Sequence, residues 1–408
     1  MSNDPNNAGK TVTCLGGAGG MGKTLARHLS QLEPIDTLII ADLDGEAASK
    51  FADELKADAR CQIVSQQVDI LNEKSLSTLL AKTDFLANAA GPFFRLGVPT
   101  LRAAIKSGTP YLDICDDPEP TIQMMALDAE AKAAGVAALI GMGASPGLSN
   151  LMAKRAADRL DEVIDCYTAW PFDVEPPDGI ESPMSTEADY GVSAALVHLM
   201  EQISGTIDSI VDGQHVKRKP LEPIMLDFPG MGKGTAITVG HPEPVTLHKS
   251  FNIKGRSANL MLVQRSTGPF LRSLGHDIDA GRLDLEEAAE AGLHPSILRT
   301  GKALIQSLGE RGPGDLPIFF ALLMGLKDGQ RKAVGCHATA LPAGMDGVTS
   351  IPAALAVEIL LKHPAEAGVH APENIIDPDT LLDRLCRYCP GQPASVDALM
   401  PVSEQVLD

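Results

Sequence analysis

The chain has 408 residues, 44% of them hydrophobic and 21% charged, enough for about two or three domains with real cores. A net charge of −19 opposes phosphate backbones and anionic bilayers, so neither nucleic acid nor membrane is expected as a partner. Seven cysteines, no signal-peptide pattern and no apolar run long enough to span a bilayer suggest reduced thiols in a cytoplasmic protein.

In chain order, residues 11–15 (TVTCL) predict a short strand, followed by GGAGGMG and a helix with Leu25, Leu29 and Leu32 on one face. Residues 37–44 (TLIIADLD) form a continuous apolar run, the pattern of a parallel strand buried on both faces. A helix over 45–57 and a strand over 61–69 follow. Helices over 72–82, 97–107 and 118–134 then alternate with strands over 84–92, 110–115 and 135–143. Six strands alternating with helices predict an α/β fold, an N-terminal Rossmann doubly wound parallel sheet over 1–150. After residue 150 the texture changes. Strand-like stretches (VIDCYTAWPF, TAITVG, PVTLHKSF, ANLMLVQ) punctuate 163–260, with one helix near 191–203, and 268–330 reads as largely helical. A second α+β domain around a mostly antiparallel sheet is expected over 151–345. Residues 346–408 read as a C-terminal helical segment, with one helix starting near Pro352 and another over 378–387.

The glycine run supports two nucleotide chemistries. Gly17, Gly19 and Gly22, with Gly20 and Met21 between, fit G-x-G-x-x-G. In that motif the first glycine makes a tight turn, the second admits a pyrophosphate and the third lets helix and strand pack closely. The same residues through Lys23 and Thr24 fit a Walker A loop, in which Lys23 would reach phosphates and Thr24 would hold Mg²⁺. Three features favour the dinucleotide. Asp42 ends the second strand, where a carboxylate accepts hydrogen bonds from a ribose; Ala89, Ala90, Gly91 and Pro92 end the fourth; and six strands fit two mononucleotide halves. Asp42 would repel a 2′-phosphate, so NAD is favoured, with NADP as the alternative. None of Tyr111, Tyr167, Tyr190 or Tyr388 has a lysine four residues on, which excludes the Tyr-Lys chemistry of short-chain dehydrogenases.

The strings GGAGGMG (16–22), IIADLD (39–44), VDILNEKSL (68–76), NAAGPFFRLGVPTLRAAIKSGTPYLDICDD (88–117), GMGASPGLSNLMA (141–153) and GVHAPENIIDPDTLLDRL resemble the saccharopine dehydrogenase superfamily. The resemblance covers roughly 1–155 and 335–390, with GHPEPVTL (240–247) similar to the family's His-x-Glu strand. It implies NAD(P)-dependent hydride transfer, through an imine, at an amine-bearing carbon of an amino-acid-like substrate. It also implies a second domain that covers the nicotinamide and forms a homodimer, and a C-terminal segment returning towards the Rossmann domain. By position, Gly17, Gly19 and Gly22 become the phosphate loop, Asp42 the ribose ligand, Asp69 and Ile70 the adenine edge, and Ala90 and Gly91 the neighbours of ribose and nicotinamide. The continuation into Lys23-Thr24 departs from the family's loops.

Candidate proton-handling groups are Asp116 and Asp117, just beyond the fifth strand, where ligands of open α/β sheets bind; either could instead cap the helix opening at Pro118. His241 and Glu243, read at a strand start, are the second candidates. Ser145, Pro146, Gly147 and Asn150 could bind a carboxylate at a helix start or form a plain hinge. Arg256, Arg265 and Arg272 could clamp one or lie on the surface. Cys386-x-x-Cys389 lacks a second ligand pair, so no metal site is expected. A P-loop ATPase or kinase, and a non-catalytic NAD-binding regulator, are the alternatives to a dehydrogenase.

Overall fold

The computed structural model describes residues 9–174 and 194–407; Tyr190 lies outside them. The first strands in chain order are β1 (Lys10–Leu15), β2 (Ile35–Asp42), β3 (Gln62–Gln67), β4 (Phe85–Asn88), β5 (Tyr111–Asp113), β6 (Ala137–Leu139), β7 (Glu162–Pro171) and β8 (Ile207–Val211). Then come β9 (Gln214–Arg218), β10 (Pro223–Phe228), β11 (Gly232–Val239), β12 (Ser257–Leu262), β13 (Phe320–Lys327), β14 (Gln330–His337), β15 (Gly368–His370) and β16 (Val402–Val406). They belong to two compact units. The first comprises residues 1–148 and 345–388, the second 149–344 and 389–408. Residues 346–408 are thus not one helical segment. They give β15 to the first unit and β16 to the second.

The first unit holds a seven-stranded parallel sheet in the order β15-β6-β5-β4-β1-β2-β3. Strand order reverses between β1 and β4, and a crevice opens at the carboxyl ends of such strands. Helices on both faces explain the continuous apolar strands: Leu38 and Ile40 are fully buried and Ile39 nearly so. One core cluster joins Leu15, Leu79, Leu86, Leu101, Tyr111 and Ile140. Each fully buried Leu contributes about 1.5–3 kcal/mol of transfer free energy. The span predicted as one helix, 118–134, breaks into Pro118–Met125 and Asp128–Ala134.

The helix placed near Pro352 starts earlier and runs Gly344–Lys362, with Pro352 inside it. Its first turns set Met345, Val348 and Ile351 at helical spacing but also hold Gly344 and Gly347, which are poor helix formers. This 19-residue helix is also long and apolar enough to match a membrane span by length and composition, contrary to the expectation of no such run. In the structure two-thirds of its apolar window is buried, as in a core helix.

The second unit is built around a mixed sheet, β10-β11-β12-β7-β13-β14-β16, antiparallel except where β12 pairs with β7. A β8–β9 hairpin is attached through β12. Two corrections follow. Residues 320–330, read as the end of a largely helical region, instead belong to the β13–β14 hairpin over 320–337, and PVTLHKSF, read as strand-like, belongs to a helix, Glu243–Phe251. Pro242 and Pro244 sit at that helix's start, where a missing N–H costs nothing, and His248 and Lys249 sit in its last turn, where cations favour the dipole.

Candidate functional site

The glycine loop connects β1 to the helix Gly20–Leu29 at the reversal point of the first sheet. Its tight turn falls on Gly16, at φ +73°, and not on Gly17 as the motif suggested. A Cβ on Gly16 would lie 2.7 Å from the Ala90 backbone, so the loop packs directly on the end of β4. Gly17 abuts Ile40 and the Cys14 carbonyl, each at 2.9 Å from a would-be Cβ. A Cβ on Gly22 would stand 1.9 Å from the Gly16 carbonyl oxygen, which makes Gly22 the residue that lets helix and strand close. Gly20, by contrast, is exposed and faces open space.

The first bond of the helix runs from the Lys23 N–H to the Gly19 carbonyl. The N–H groups of Gly20, Met21 and Gly22 therefore precede any intrahelical acceptor, and Gly19 supplies no capping side chain. A helix start with free donors, a positive dipole end and no Cβ in the way suits a pyrophosphate. Cys14 beneath it is an inert thiol, pushed up to about 12 by burial and then by the charge of Asp42.

Asp42 ends β2 beside this loop. Its carboxylate accepts from the Ala18 N–H at 3.0 Å and the Asp44 N–H at 3.2 Å, which fixes the acid against the loop. The Asp42 carbonyl accepts from Val68, so the turn carrying Asp69 and Ile70 lies next to it. Asp69 is exposed and Ile70 half-buried against the core. Ala90 is held by the Asn88 side chain at 3.0 Å, and Gly91 is exposed with open space where a Cβ would be. The residues named for a dinucleotide thus line one edge of the sheet.

Both Walker candidates have partners within the protein. Lys23 Nζ lies 5.8 Å over the Phe51 ring, and Thr24 donates to Asp346 at 2.6 Å. Ser350 donates to the Met21 carbonyl, so the helix Gly344–Lys362 clamps the phosphate-loop helix at two points.

A buried network that the sequence reading did not identify lies under the carboxyl ends of β4 to β6. Asn88 donates to the Tyr111 hydroxyl, which donates to Asp113; the Cys115 and Gly141 N–H groups also donate to Asp113, at 3.1 and 2.7 Å. Burial pushes Asp113 up to about 6, against the pull of these donors. The alternation of Tyr111 and Asp113 along a strand was the only available signal. Asp116 and Asp117 follow three and four residues later, Asp116 half-buried and Asp117 buried. Asp117 occupies the N-cap position of Pro118–Met125, yet its side chain makes no capping bond. Pro118 and Pro120 remove the N–H groups of the first and third helical positions, leaving little to cap.

In the second unit, His241 and Glu243 stand at the start of a helix, not of a strand. Glu243 is completely buried. Its Oε1 accepts from Ser149 at 2.9 Å and from Asn259 at 3.0 Å, and its Oε2 lies 3.4 Å from His241 Nδ1. Asn259 also donates to Thr168 and accepts from the Trp170 indole, while Asn150 donates to Thr246. The Trp170 and His241 rings are 5.5 Å apart. A carboxylate set beside Nδ1 holds an imidazole in one orientation. Asn150, considered for carboxylate binding or a hinge, joins this cluster. Ser145 to Gly147 form a tight loop of the first unit, closed by Gly143 and Pro146 backbone groups. Of the arginines, Arg272 is occupied by Glu310, and Arg256 and Arg265 are exposed. Cys386 and Cys389 are buried and not joined in a disulfide.

Residues 12–139 match the family model for the saccharopine dehydrogenase NADP binding domain. The whole chain is similar in fold to a saccharopine dehydrogenase (L-Glu forming) from Saccharomyces cerevisiae. The TM-score is 0.60 at 13% identity, covering 98% of this chain and 100% of that one. A short chain dehydrogenase from Mycobacterium smegmatis is similar over 34% of this chain and 78% of its own, at 17% identity and a TM-score of 0.29. That value is too low to carry an argument.

Proposed function

We propose that the chain is an NAD(P)-dependent oxidoreductase similar to the saccharopine dehydrogenases, and that it transfers hydride at an amine-bearing carbon of an amino acid or related small molecule. The observation that carries the reading is the open glycine cradle beside Asp42, with donors at a helix start and no Cβ to obstruct a dinucleotide. When bound, the nicotinamide supplies the hydride chemistry. The rest falls to side chains. In the oxidative direction the carbon loses hydride and the amine nitrogen loses a proton, leaving C=N. Water then adds, and the C–N bond breaks to a carbonyl compound and a free amine.

Asp116 and Asp117 are the groups proposed to hold the ammonium. His241, oriented by Glu243, is proposed to move the proton at nitrogen or water. Asp42 disfavours a 2′-phosphate, which supports NAD over NADP, although the matching domain family is named for NADP.

The test is nicotinamide absorbance during incubation with a panel of amino acids and of secondary amines that join an amino acid to an oxo acid. Turnover of at least one amine, lost in His241→Ala with dinucleotide binding intact, is the expected result. Binding without turnover across the panel would instead favour a non-catalytic cofactor-binding regulator.

A further inference from the structure

The second unit holds a cavity of ≈ 750 Å³ between the start of β11, the segment 264–266 and the loop 311–314 that follows the helix Ile297–Ser307. Its charged lining is Lys233, Arg265 and Arg311. No carboxylate lines it among the described residues, in a chain with 53 acidic side chains against 34 Lys and Arg.

Packing sets this grouping. The Thr235 N–H donates to the Gly312 carbonyl at 3.0 Å and the Asp315 N–H to the Lys233 carbonyl at 3.2 Å, which pins the loop along β11. Glycines permit the approach. A Cβ on Gly234 would lie 1.7 Å from the Pro313 carbonyl oxygen, and one on Gly314, at φ +56°, would lie 2.2 Å from the Lys233 carbonyl oxygen. A Cβ on Gly312 would lie 3.3 Å from Arg265 Cγ, so the Arg265 stem runs along the loop that carries Arg311. Like charges are thereby gathered on a braced backbone, a repulsion that an anion relieves.

Their partners within the protein are weak. Lys233 has an exposed ion pair with Asp227 at 3.3 Å, of the kind that water screens. Arg311 meets the Met225 thioether, a weak acceptor, at 3.0 Å. The acids nearby are engaged elsewhere: Glu310 by Arg272, and Asp173 by the Gln264 N–H and the Thr267 hydroxyl. Ser266, also in the lining, is the N-cap residue of the 13-residue helix Thr267–Asp279. It gives that helix no side-chain cap, and the first turn holds no acid, so a positive dipole end adds to the cations.

The remaining wall is apolar. Exposed Met225 and Leu304 line it, and Leu304 continues into a row of exposed side chains, Ile297, Ile305 and Leu308. A cavity of this size exceeds a bare inorganic anion and matches sites for whole small molecules.

We propose that this cavity is a second ligand site, for a phosphate monoester with an apolar body. Arg265, Arg311 and Lys233 hold the phosphate, and Met225 and Leu304 hold the body. Two guanidinium forks, an ammonium and a helix start present donors from several directions, which suits the terminal oxygens of a phosphate better than a planar carboxylate. The site is separate from the His241–Glu243 cluster. Lys233 stands near the start of β11 and His241 just beyond its end, so about 20 Å of strand divides them. The same phosphate chemistry is offered by a soluble ester and by the headgroup of a lipid, whose chains would continue over Ile305 and Leu308.

The experiment is isothermal titration calorimetry of the full chain with hexyl phosphate at about 0.15 M salt, without dinucleotide or amine substrate, so its outcome is independent of the proposed reaction. Saturable binding is expected, tighter than that of inorganic phosphate. An Arg265→Gln, Arg311→Gln double variant should bind hexyl phosphate about tenfold more weakly or worse. Both positions are exposed, so its circular dichroism should match the wild type. Lys50→Gln, Lys74→Gln, which removes the same charge from exposed positions of the first unit, should leave the affinity unchanged. Leu304→Ser should weaken hexyl phosphate and spare inorganic phosphate. Flotation with phosphatidic acid vesicles distinguishes the sources: flotation of the wild type but not of the arginine variant, without binding of hexyl phosphate, assigns the site to a lipid headgroup. The proposal is overturned if neither hexyl phosphate nor the vesicles bind, if the arginine variant binds like the wild type, or if the lysine variant loses as much affinity as the arginine variant.

Discussion

The phosphate loop of the first unit and the polar cluster around Glu243 in the second are built in opposite ways. The loop works by leaving side chains out: Gly16, Gly17 and Gly22 each occupy a place where a Cβ would collide with backbone or with Ile40. The cluster works by bringing side chains together, with Ser149, Thr168, His241 and Asn259 converging from four segments on one buried carboxylate or its neighbours. A loop made of omissions is local, so it tolerates no added atom but needs little from the rest of the chain. A cluster made of convergence depends on the whole sheet, because removing one member leaves the others unpaired inside the protein.

That contrast can be broken most severely at Gly22. Gly22→Val puts carbon where the Gly16 oxygen stands, so it should cost more than about 3 kcal/mol in a urea melt and abolish dinucleotide binding. Gly20→Ala, with open space around it, should leave the melt unchanged. Equal effects at both positions would show that the loop is not sterically set.

Glu243→Ala comes next. It leaves one Asn259 N–H without its acceptor and the Ser149 hydroxyl with only the longer bond to Asn150, and should cost about 2–4 kcal/mol. Glu243→Gln retains an acceptor and should cost less. If the alanine variant melts like the wild type, the cluster is looser than its geometry.

Asp113 sharpens the comparison from within the first unit, since it is a buried acid held by backbone. Its folded value of about 6 exceeds the unfolded 3.8. Its contribution to stability is therefore complete below pH 3.8 and is lost as pH rises through about 6. Relative to Asp113→Asn, the wild type should lose about 3 kcal/mol across that window and nothing further above it. A pH-independent difference between the two would mean the acid titrates normally.

The smallest effect is expected at Lys23→Ala. With Nζ over Phe51, its loss should change stability by less than about 1 kcal/mol and leave dinucleotide affinity within a few-fold.

The first unit was legible because each of its signals is short-range. Apolar strand runs, helical spacing and the glycine spacing all act within about twenty residues, and Asp42 and Gly91 stood where the fold places them. The exceptions were informative. The turn glycine was Gly16, since the motif specifies spacing and not which glycine takes positive φ. The strand β15 was missed because three residues carry no periodicity.

The second unit yielded less. Its two Asp-Gly turns, Asp212-Gly213 and Asp328-Gly329, both with positive φ at each residue, are strong hairpin signals that could have located β8–β9 and β13–β14. The partners of Glu243 could not have been read at all, because Ser149 and Glu243 are 94 residues apart and only the sheet brings them together. His241 and Glu243 were recognised as chemically interesting, but at a strand start, whereas Pro242 and Pro244 in fact start a helix.

The central claim is that the glycine loop serves a dinucleotide and not a nucleoside triphosphate. Isothermal titration calorimetry of the purified chain with NADH, NADPH and Mg-ATP tests it directly. The account predicts binding of NADH, weaker binding of NADPH that approaches it in Asp42→Ala, and no heat from Mg-ATP. Tight Mg-ATP binding that Lys23→Ala abolishes, with no heat from either dinucleotide, would contradict it.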